Sequence, residues 1–119
     1  MKYIIYLLFF QTILFSQVKS IYAPVEKQMR LIPEQQTKSV QEIASYIQAN
    51  FKGEELQIKA AYFYVISSIS YDVTYNFSTE LFSSDEDFVT KTITTKKGVC
   101  IHYAKLFKAI ISQLGYHCE

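Results

Sequence analysis

The chain has 119 residues, half of them hydrophobic, and its 12 basic and 11 acidic side chains give a formal net charge of +1. This size suits one globular domain, and the balanced charge excludes a basic nucleic-acid-binding surface and an acidic tail, so we expect no nucleic-acid partner. The two cysteines and two histidines lack the ligand spacing of a zinc site, and no motif indicates another metal or a cofactor.

Residues 1–20 have the pattern of a secretory signal peptide. A short basic start precedes an apolar run at residues 3–15, and residues 16–20 offer small side chains for cleavage. The run is shorter than the about 20 apolar residues that cross a bilayer, which leaves an uncleaved anchor as the alternative. We therefore expect export to the periplasm, the cell surface or the extracellular space, with no stable membrane span after signal removal.

Residues 21–36 contain two prolines and are typical of an irregular leader, which would join the signal to a domain at residues 37–119. Ser39 to Glu42 match a capping box, and the apolar stripe that follows predicts a helix. A second predicted helix, at residues 56–69, is apolar over much of its circumference, which indicates a central place in the core.

Residues 71–95 have a less regular pattern. Ser83 to Asp87 could open a short helix, because serine and acidic side chains are favoured at helix starts. The β-branched residues of Phe88–Thr95 predict an extended segment after it.

The last predicted helix holds the most informative residue of the chain. Six large apolar side chains recur at helical intervals between Tyr103 and Leu114, and Gly115 provides a stop. Cys100 lies in the first turn of this helix, just after a turn glycine, Gly98. Unpaired backbone N–H groups and the positive end of the helix dipole favour a thiolate at such a position, which makes Cys100 the candidate nucleophile. The alternative is a small buried hydrophobic residue, a common role of free cysteine.

The remaining candidates for catalytic chemistry are poorly placed relative to Cys100. His102 is about 200° further around the helix, so we expect it to face away, partly exposed, and not to act as the base. His117 follows the helix and lies about 20 Å away at a rise of about 1.5 Å per residue. Cys118 is expected in a buried strand, and the rigid helix argues against a Cys100–Cys118 disulfide because that bond needs Cα atoms within about 7 Å.

Two blocks of sequence resemble one protein family. Gly98 to Gly115 resembles the nucleophile helix of the transglutaminase-like superfamily, a branch of the papain-like cysteine enzymes. Lys59 to Asp72, with its Ile-x-Tyr-Asp ending, resembles the helix that precedes it, although Tyr64 stands where many members carry tryptophan. The resemblance covers roughly residues 39–119.

The resemblance implies an α+β, transglutaminase-like (papain-like) fold, truncated after the nucleophile helix so that the covered chain is mostly α-helical. It also implies acyl transfer from a peptide or glutamine amide to Cys100, on a protein or peptide substrate, with activation by a histidine and an aspartate that are missing from this chain. No sheet would then cover the stripe from Tyr103 to Leu114, so we expect poor folding or self-association and interpret the chain as part of a longer protein.

Three functions fit these observations. The first is an exported cysteine acyl-transfer enzyme of peptidase, transglutaminase or deamidase type. The second is a noncatalytic module that binds peptide or cell-wall material through the same cleft, and the third is a small helical interaction protein. The sequence does not specify the substrate, the acyl acceptor or the oligomeric state.

Overall fold

The computed structural model describes residues 22–76 and 84–117. Both the predicted signal peptide and Cys118 lie outside these residues. The described part is mostly helical, as predicted. In chain order its elements are α1 (Ala23–Arg30), a 3-10 helix (Glu34–Thr37), α2 (Val40–Asn50), α3 (Glu54–Ser68), β1 (Ser70–Tyr71), α4 (Asp85–Thr95), β2 (Lys97–Gly98) and α5 (Cys100–Gln113). None of the helices in the described ranges is long and apolar enough to cross a membrane.

The predicted irregular leader is wrong for most of its length, because α1 forms there and joins the core. Proline is tolerated in the first turn of a helix, where its missing N–H has no intrahelical partner to lose, so Pro24 helps to start α1. Val25 and Met29, four residues apart, are both buried on the side that faces the other helices. The hydroxyl of Tyr46 on α2 donates a 2.7 Å hydrogen bond to the carbonyl oxygen of Gln28, which ties the two helices together.

Helix α2 begins where the capping pattern predicted. The side-chain oxygen of Ser39 accepts a 3.2 Å hydrogen bond from the backbone N–H of Glu42. The buried face of α2 consists of Ile43, Ala44, Tyr46 and Ile47.

Helix α3 is central to the core on one face only. Ala60, Ala61, Tyr64 and Val65 are buried, and burial raises the pKa of the Tyr64 hydroxyl, although a side-chain hydrogen bond with Ser68 opposes this shift. The opposite face exposes large apolar residues, with Leu56 36%, Tyr62 52% and Ile66 48% accessible. The predicted central place of this helix in the core is therefore confirmed for one face only.

The predicted extended segment at Phe88–Thr95 is also wrong, because α4 runs through it. Ser84 caps the helix by accepting a 3.1 Å hydrogen bond from the N–H of Asp87, and the acidic first turn suits the positive end of the dipole. Three threonines adapt to the helix by donating their hydroxyl protons to the carbonyl four residues back, as Thr92 does to Phe88 at 2.9 Å. Phe88, Val89, Thr92 and Ile93 form the buried face.

Helix α5 crosses the centre of the molecule and packs against α2, α3 and α4. Leu106 and Ile110 have no exposed surface, Ile111 and Leu114 are nearly as buried, and Tyr103 and Phe107 are partly buried. The expectation that the stripe of α5 lacks a cover is therefore wrong, since the other helices cover most of it.

The two short strands pair in parallel, with Ser70 opposite Lys97 and Tyr71 opposite Gly98. They are the only strands among the described residues, so the sheet of a papain-like fold stays a prediction. Two backbone hydrogen bonds extend this pairing, from the N–H of Ser70 to the carbonyl of Lys96 at 2.9 Å and from the N–H of Asp72 to the carbonyl of Gly98 at 2.8 Å. The end of α3 is thereby fixed beside the start of α5.

Candidate functional site

Cys100 is the first residue of α5, as predicted, and its side chain is an exposed free thiol. The alternative of a small buried residue is therefore wrong. Val99, in extended conformation, occupies the N-cap position and accepts hydrogen bonds at its carbonyl from the N–H groups of His102 and Tyr103 at 2.9 and 3.3 Å. Because Cys100 is in the first turn, its backbone N–H has no intrahelical acceptor.

The backbone on both sides of Cys100 is held in place. The β1–β2 pairing fixes Gly98, and the hydroxyl of Tyr103 donates a 2.7 Å hydrogen bond to the carbonyl oxygen of Ile69 at the end of α3. The two blocks that carry the family resemblance therefore meet at the thiol. The strand pairing joins two segments of main chain, and the Tyr103 hydroxyl bonds a main-chain carbonyl. Together these contacts set the position of the backbone that carries Cys100.

Asp72 closes the turn that follows β1. One of its carboxylate oxygens accepts both the backbone N–H and the hydroxyl proton of Thr74, at 3.0 and 2.7 Å. The bond from the Thr74 hydroxyl has the largest effect in holding the pKa of Asp72 below its ordinary value, and the bond from the Thr74 N–H comes next. The charge of Lys97 lowers the pKa further. Asp72 thus acts as a local turn former beside the site.

His102 is buried, with only 4% of its surface accessible, so the expectation of a partly exposed residue is wrong. Its Nδ1 accepts a 3.0 Å hydrogen bond from the N–H of Val99. Its ring stacks on Phe88 at 4.5 Å between centroids and meets the edge of Tyr75 at 4.7 Å. These partners lie on α4 and the turn after β1, whereas Cys100 faces residues of α3, so His102 is not placed to take a proton from the thiol.

Gly98 is required for a different reason from the one the sequence suggested. It lies in β2 without a positive φ, and the left-handed residue of this connection is Lys96, at φ 55°. A Cβ atom at Gly98 would come closer than 3.0 Å to the Cβ, Cγ and Nδ1 atoms of His102, a separation that real Cβ atoms do not show. The interpretation of Gly98 as a turn glycine is therefore wrong, and the residue makes room for the imidazole.

An open apolar groove of about 530 Å³ lies beside Cys100, between the exposed face of α3 and the first two turns of α5. Sequence reasoning missed it, because its walls come from two helices whose relative placement no local pattern encodes. Tyr62 and Phe107 meet edge to face across it, with ring centroids 6.3 Å apart. The full lining is Tyr62, Val65, Ile66, Tyr71, Cys100, Tyr103, Ala104 and Phe107.

A second groove, of about 460 Å³, lies on another side of α5 and does not include Cys100. Lys105 forms an ion pair there with Asp85, and this bond, with the lysine charge, holds the pKa of Asp85 below its ordinary value. His117 is exposed beyond the end of α5 and takes no part in either groove. Within the described ranges no three His, Cys, Asp or Glu side chains come together in a way that could hold a metal ion.

Comparison with protein families matches residues 41–119 to the transglutaminase-like superfamily. The match covers more than half of the chain, and the chain therefore belongs to this superfamily, as its two sequence blocks predicted. Membership suggests activity of the cysteine acyl-transfer type at most. Comparisons with curated proteins and with solved structures gave no match.

Proposed function

We propose that the protein is an exported transglutaminase-like enzyme in which Cys100 attacks a peptide or glutamine amide. The observation that carries this proposal is the exposed thiol at the first residue of α5, beside an open apolar groove. A nucleophilic cysteine needs an accessible sulfur, a fixed backbone and a site that favours the thiolate, and the start of a helix supplies the last of these.

The reaction runs through a thioester. The sulfur of Cys100 bonds to the carbonyl carbon while the carbon–oxygen electron pair moves to oxygen, where an unpaired N–H of the first helical turn suits the developing charge. The electron pair on oxygen then reforms the carbonyl as the carbon–nitrogen bond breaks, and the leaving amine, or ammonia from a glutamine side chain, takes a proton from a general acid. Water or a primary amine attacks the thioester and gives its proton to the same group, now a base, while the carbon–sulfur bond breaks and Cys100 leaves as the thiolate.

The base is assigned to a group outside the described residues, because His102 faces α4 and His117 follows the far end of α5. The family resemblance implies a histidine on a later strand, oriented by an aspartate. The placement of His102 and His117 away from Cys100 also favours one alternative function, a noncatalytic module that binds peptide through the groove beside Cys100. The third hypothesis, an unrelated helical interaction protein, loses support from membership in the superfamily.

The enzymatic proposal is tested on the protein purified from the cells that naturally express it. A glutamine-containing peptide and a fluorescent primary amine are supplied together, and amine incorporation, ammonia release and peptide cleavage are followed. We expect activity that is abolished in Cys100→Ala and retained in Cys118→Ala, with an acyl adduct on Cys100 by mass spectrometry. Activity that persists in Cys100→Ala would contradict the assignment.

Peptide binding without turnover would support the noncatalytic alternative. Binding through the groove would then weaken in Tyr62→Ala, which removes an exposed wall of the groove, and would not change in Leu31→Ala, an exposed apolar residue elsewhere.

Export is a separate part of the proposal and rests on the signal-like pattern of residues 1–20. Mass spectrometry of the mature N-terminus tests it, with cleavage expected near Ser20. Recovery of the protein with Met1 intact in the cytoplasm would contradict it.

A further inference from the structure

Helix α5 starts without the usual side-chain cap. Serine, threonine, aspartate and asparagine are preferred at the N-cap because their oxygen accepts a free N–H of the first turn. Val99 occupies that position and has no polar side-chain atom. Its own backbone N–H is bonded instead to Nδ1 of His102, the third residue of the helix. This is the reciprocal half of a capping box, in which glutamate or glutamine usually provides the acceptor.

We propose that His102 is a positioning residue for Cys100, which acts through the backbone of Val99. The proposal rests on the assignment of Cys100 as the nucleophile, and it gives the buried histidine of the site a role other than acid–base chemistry. Cys100 lies between Val99, the donor of the bond, and His102, its acceptor. The bond therefore closes a short loop that consists of the main chain from Val99 to His102 and the His102 side chain, and this loop includes the residue that carries the sulfur.

The imidazole of His102 is itself held in place by its neighbours. Phe88 stacks on one face with an angle of 25° between the planes, and Tyr75 approaches nearly perpendicular to the ring, at 88°. Gly98 leaves no room between β2 and the imidazole for even a methyl group. The side chain is therefore held by α4, by β2 and by the turn after β1, and its Nδ1 holds Val99 in turn.

The hydrogen bond at Nδ1 also defines the protonation state in which His102 can hold Val99. An imidazole nitrogen that accepts a hydrogen bond carries no proton, so His102 is neutral with its proton on Nε2 in this arrangement. A residue that must stay in this state to hold the helix start is not the group that shuttles protons for Cys100.

Site-resolved alkylation by iodoacetamide at pH 7 measures the effect, because it reports on the Cys100 thiolate whether or not the protein turns over a substrate. In the full chain, His102→Phe keeps an aromatic ring but has no acceptor for the Val99 N–H. We expect Cys100 to be alkylated about two- to fivefold more slowly, the range that corresponds to loss of favourable helix-terminus interactions with a charged group. His102→Gln restores an acceptor at the same helix position and is expected to recover most of the rate.

Ile111→Val is the matched control, since it weakens the core further along the same helix without touching its start. We expect it to leave the Cys100 rate unchanged. Amide exchange of Val99 should become faster in His102→Phe and return toward that of the unmodified protein in His102→Gln. A folded His102→Phe variant that reacts at the original rate would overturn the proposal, as would failure of a folded His102→Gln variant to recover it.

If His102→Phe does not fold, Gly98→Ala tests the same contact from the other side, because the added methyl group displaces the imidazole. Its Cys100 rate should also fall, and an unchanged rate would overturn the proposal. Failure of the enzymatic assignment is distinguishable, since it would leave the alkylation pattern intact while the native protein showed no turnover that depends on Cys100.

Discussion

The hydroxyl of Tyr103 donates a 2.7 Å hydrogen bond to the carbonyl oxygen of Ile69, which lies 34 positions earlier in the chain. Ile69 is the C-cap residue of α3 and Tyr103 lies one turn beyond Cys100, so this bond connects the C-terminal end of α3 to the first turns of α5. The bond also satisfies a carbonyl that would otherwise lack a partner at the C-terminal end of α3.

Removal of this hydroxyl should destabilise the fold. We expect Tyr103→Phe to lower the free energy of unfolding by about 1 kcal/mol, the net value of a typical hydrogen bond, because the ring stays in place and only the donor is lost. Urea denaturation measures the change. Tyr62→Phe, at a ring that is 52% exposed, is the matched control and should have a smaller effect. Equal effects of the two substitutions would contradict the prediction.

Leu106 tests whether α5 is covered by the other helices. It has no exposed surface, so Leu106→Ala should cost about 2–5 kcal/mol of unfolding free energy through lost burial and the cavity left behind. Leu31→Ala makes the same chemical change at a side chain that is 64% exposed, and should change stability by less than about 0.5 kcal/mol. A small effect at Leu106 would instead support an α5 whose apolar stripe lacks a cover.

Ser84 tests the helical assignment of residues 85–95. Its side chain accepts the N–H of Asp87, so Ser84→Ala should destabilise the protein by about 1 kcal/mol through loss of the cap. Ser45→Ala, at an exposed position within α2, removes the same hydroxyl where no cap is involved and should be neutral or slightly stabilising. Thermal and urea denaturation of both variants decide between the outcomes.

The low pKa of Asp72 gives stability a specific dependence on pH. Because the hydrogen bonds with Thr74 lower the pKa in the folded state, the folded protein binds fewer protons than the unfolded chain in acid. The contribution of Asp72 is therefore fully present above the ordinary carboxyl pKa of about 3.9 and is lost as pH falls through the lower folded value. Asp85, whose pKa is lowered by Lys105, acts in the same direction.

Asp72→Asn keeps an oxygen that can accept from Thr74 but removes the titrating group. We expect its stability to fall less steeply than that of the unmodified protein below about pH 4, with the two curves parallel at neutral pH. Thr74→Ala, which removes the stronger of the two donors, should also reduce the slope. Parallel curves across the whole acid range would show that Asp72 does not contribute through its charge.

The parts of the fold that were predicted correctly are those set by neighbours in the chain. The cap at Ser39 and the apolar stripe of α5 follow from spacing alone, and so does the place of Cys100 in the first helical turn. The extended segment predicted at Phe88–Thr95 is wrong because its β-branched residues indicate a strand by propensity, whereas the helix that starts at the Ser84 cap continues through them.

The errors at the site have a common physical cause. His102 stands between the polar and apolar faces of α5, and its burial depends on Phe88 and Tyr75, which reach it from other elements. The groove beside Cys100 likewise depends on how Tyr62 of α3 is placed against Phe107 of α5. Contacts of this kind depend on tertiary packing, and the residue pattern of a single helix or strand does not predict them.

The pairing of β1 with β2 also has a consequence for folding. Helices form from local contacts within microseconds, whereas parallel strands from separate parts of the chain must first lose the entropy of closing the intervening loop. A refolding chain is therefore expected to regain its helical circular dichroism before Gly98 and Cys100 reach their final positions. The reactivity of the Cys100 thiol would then report on the last stage of folding.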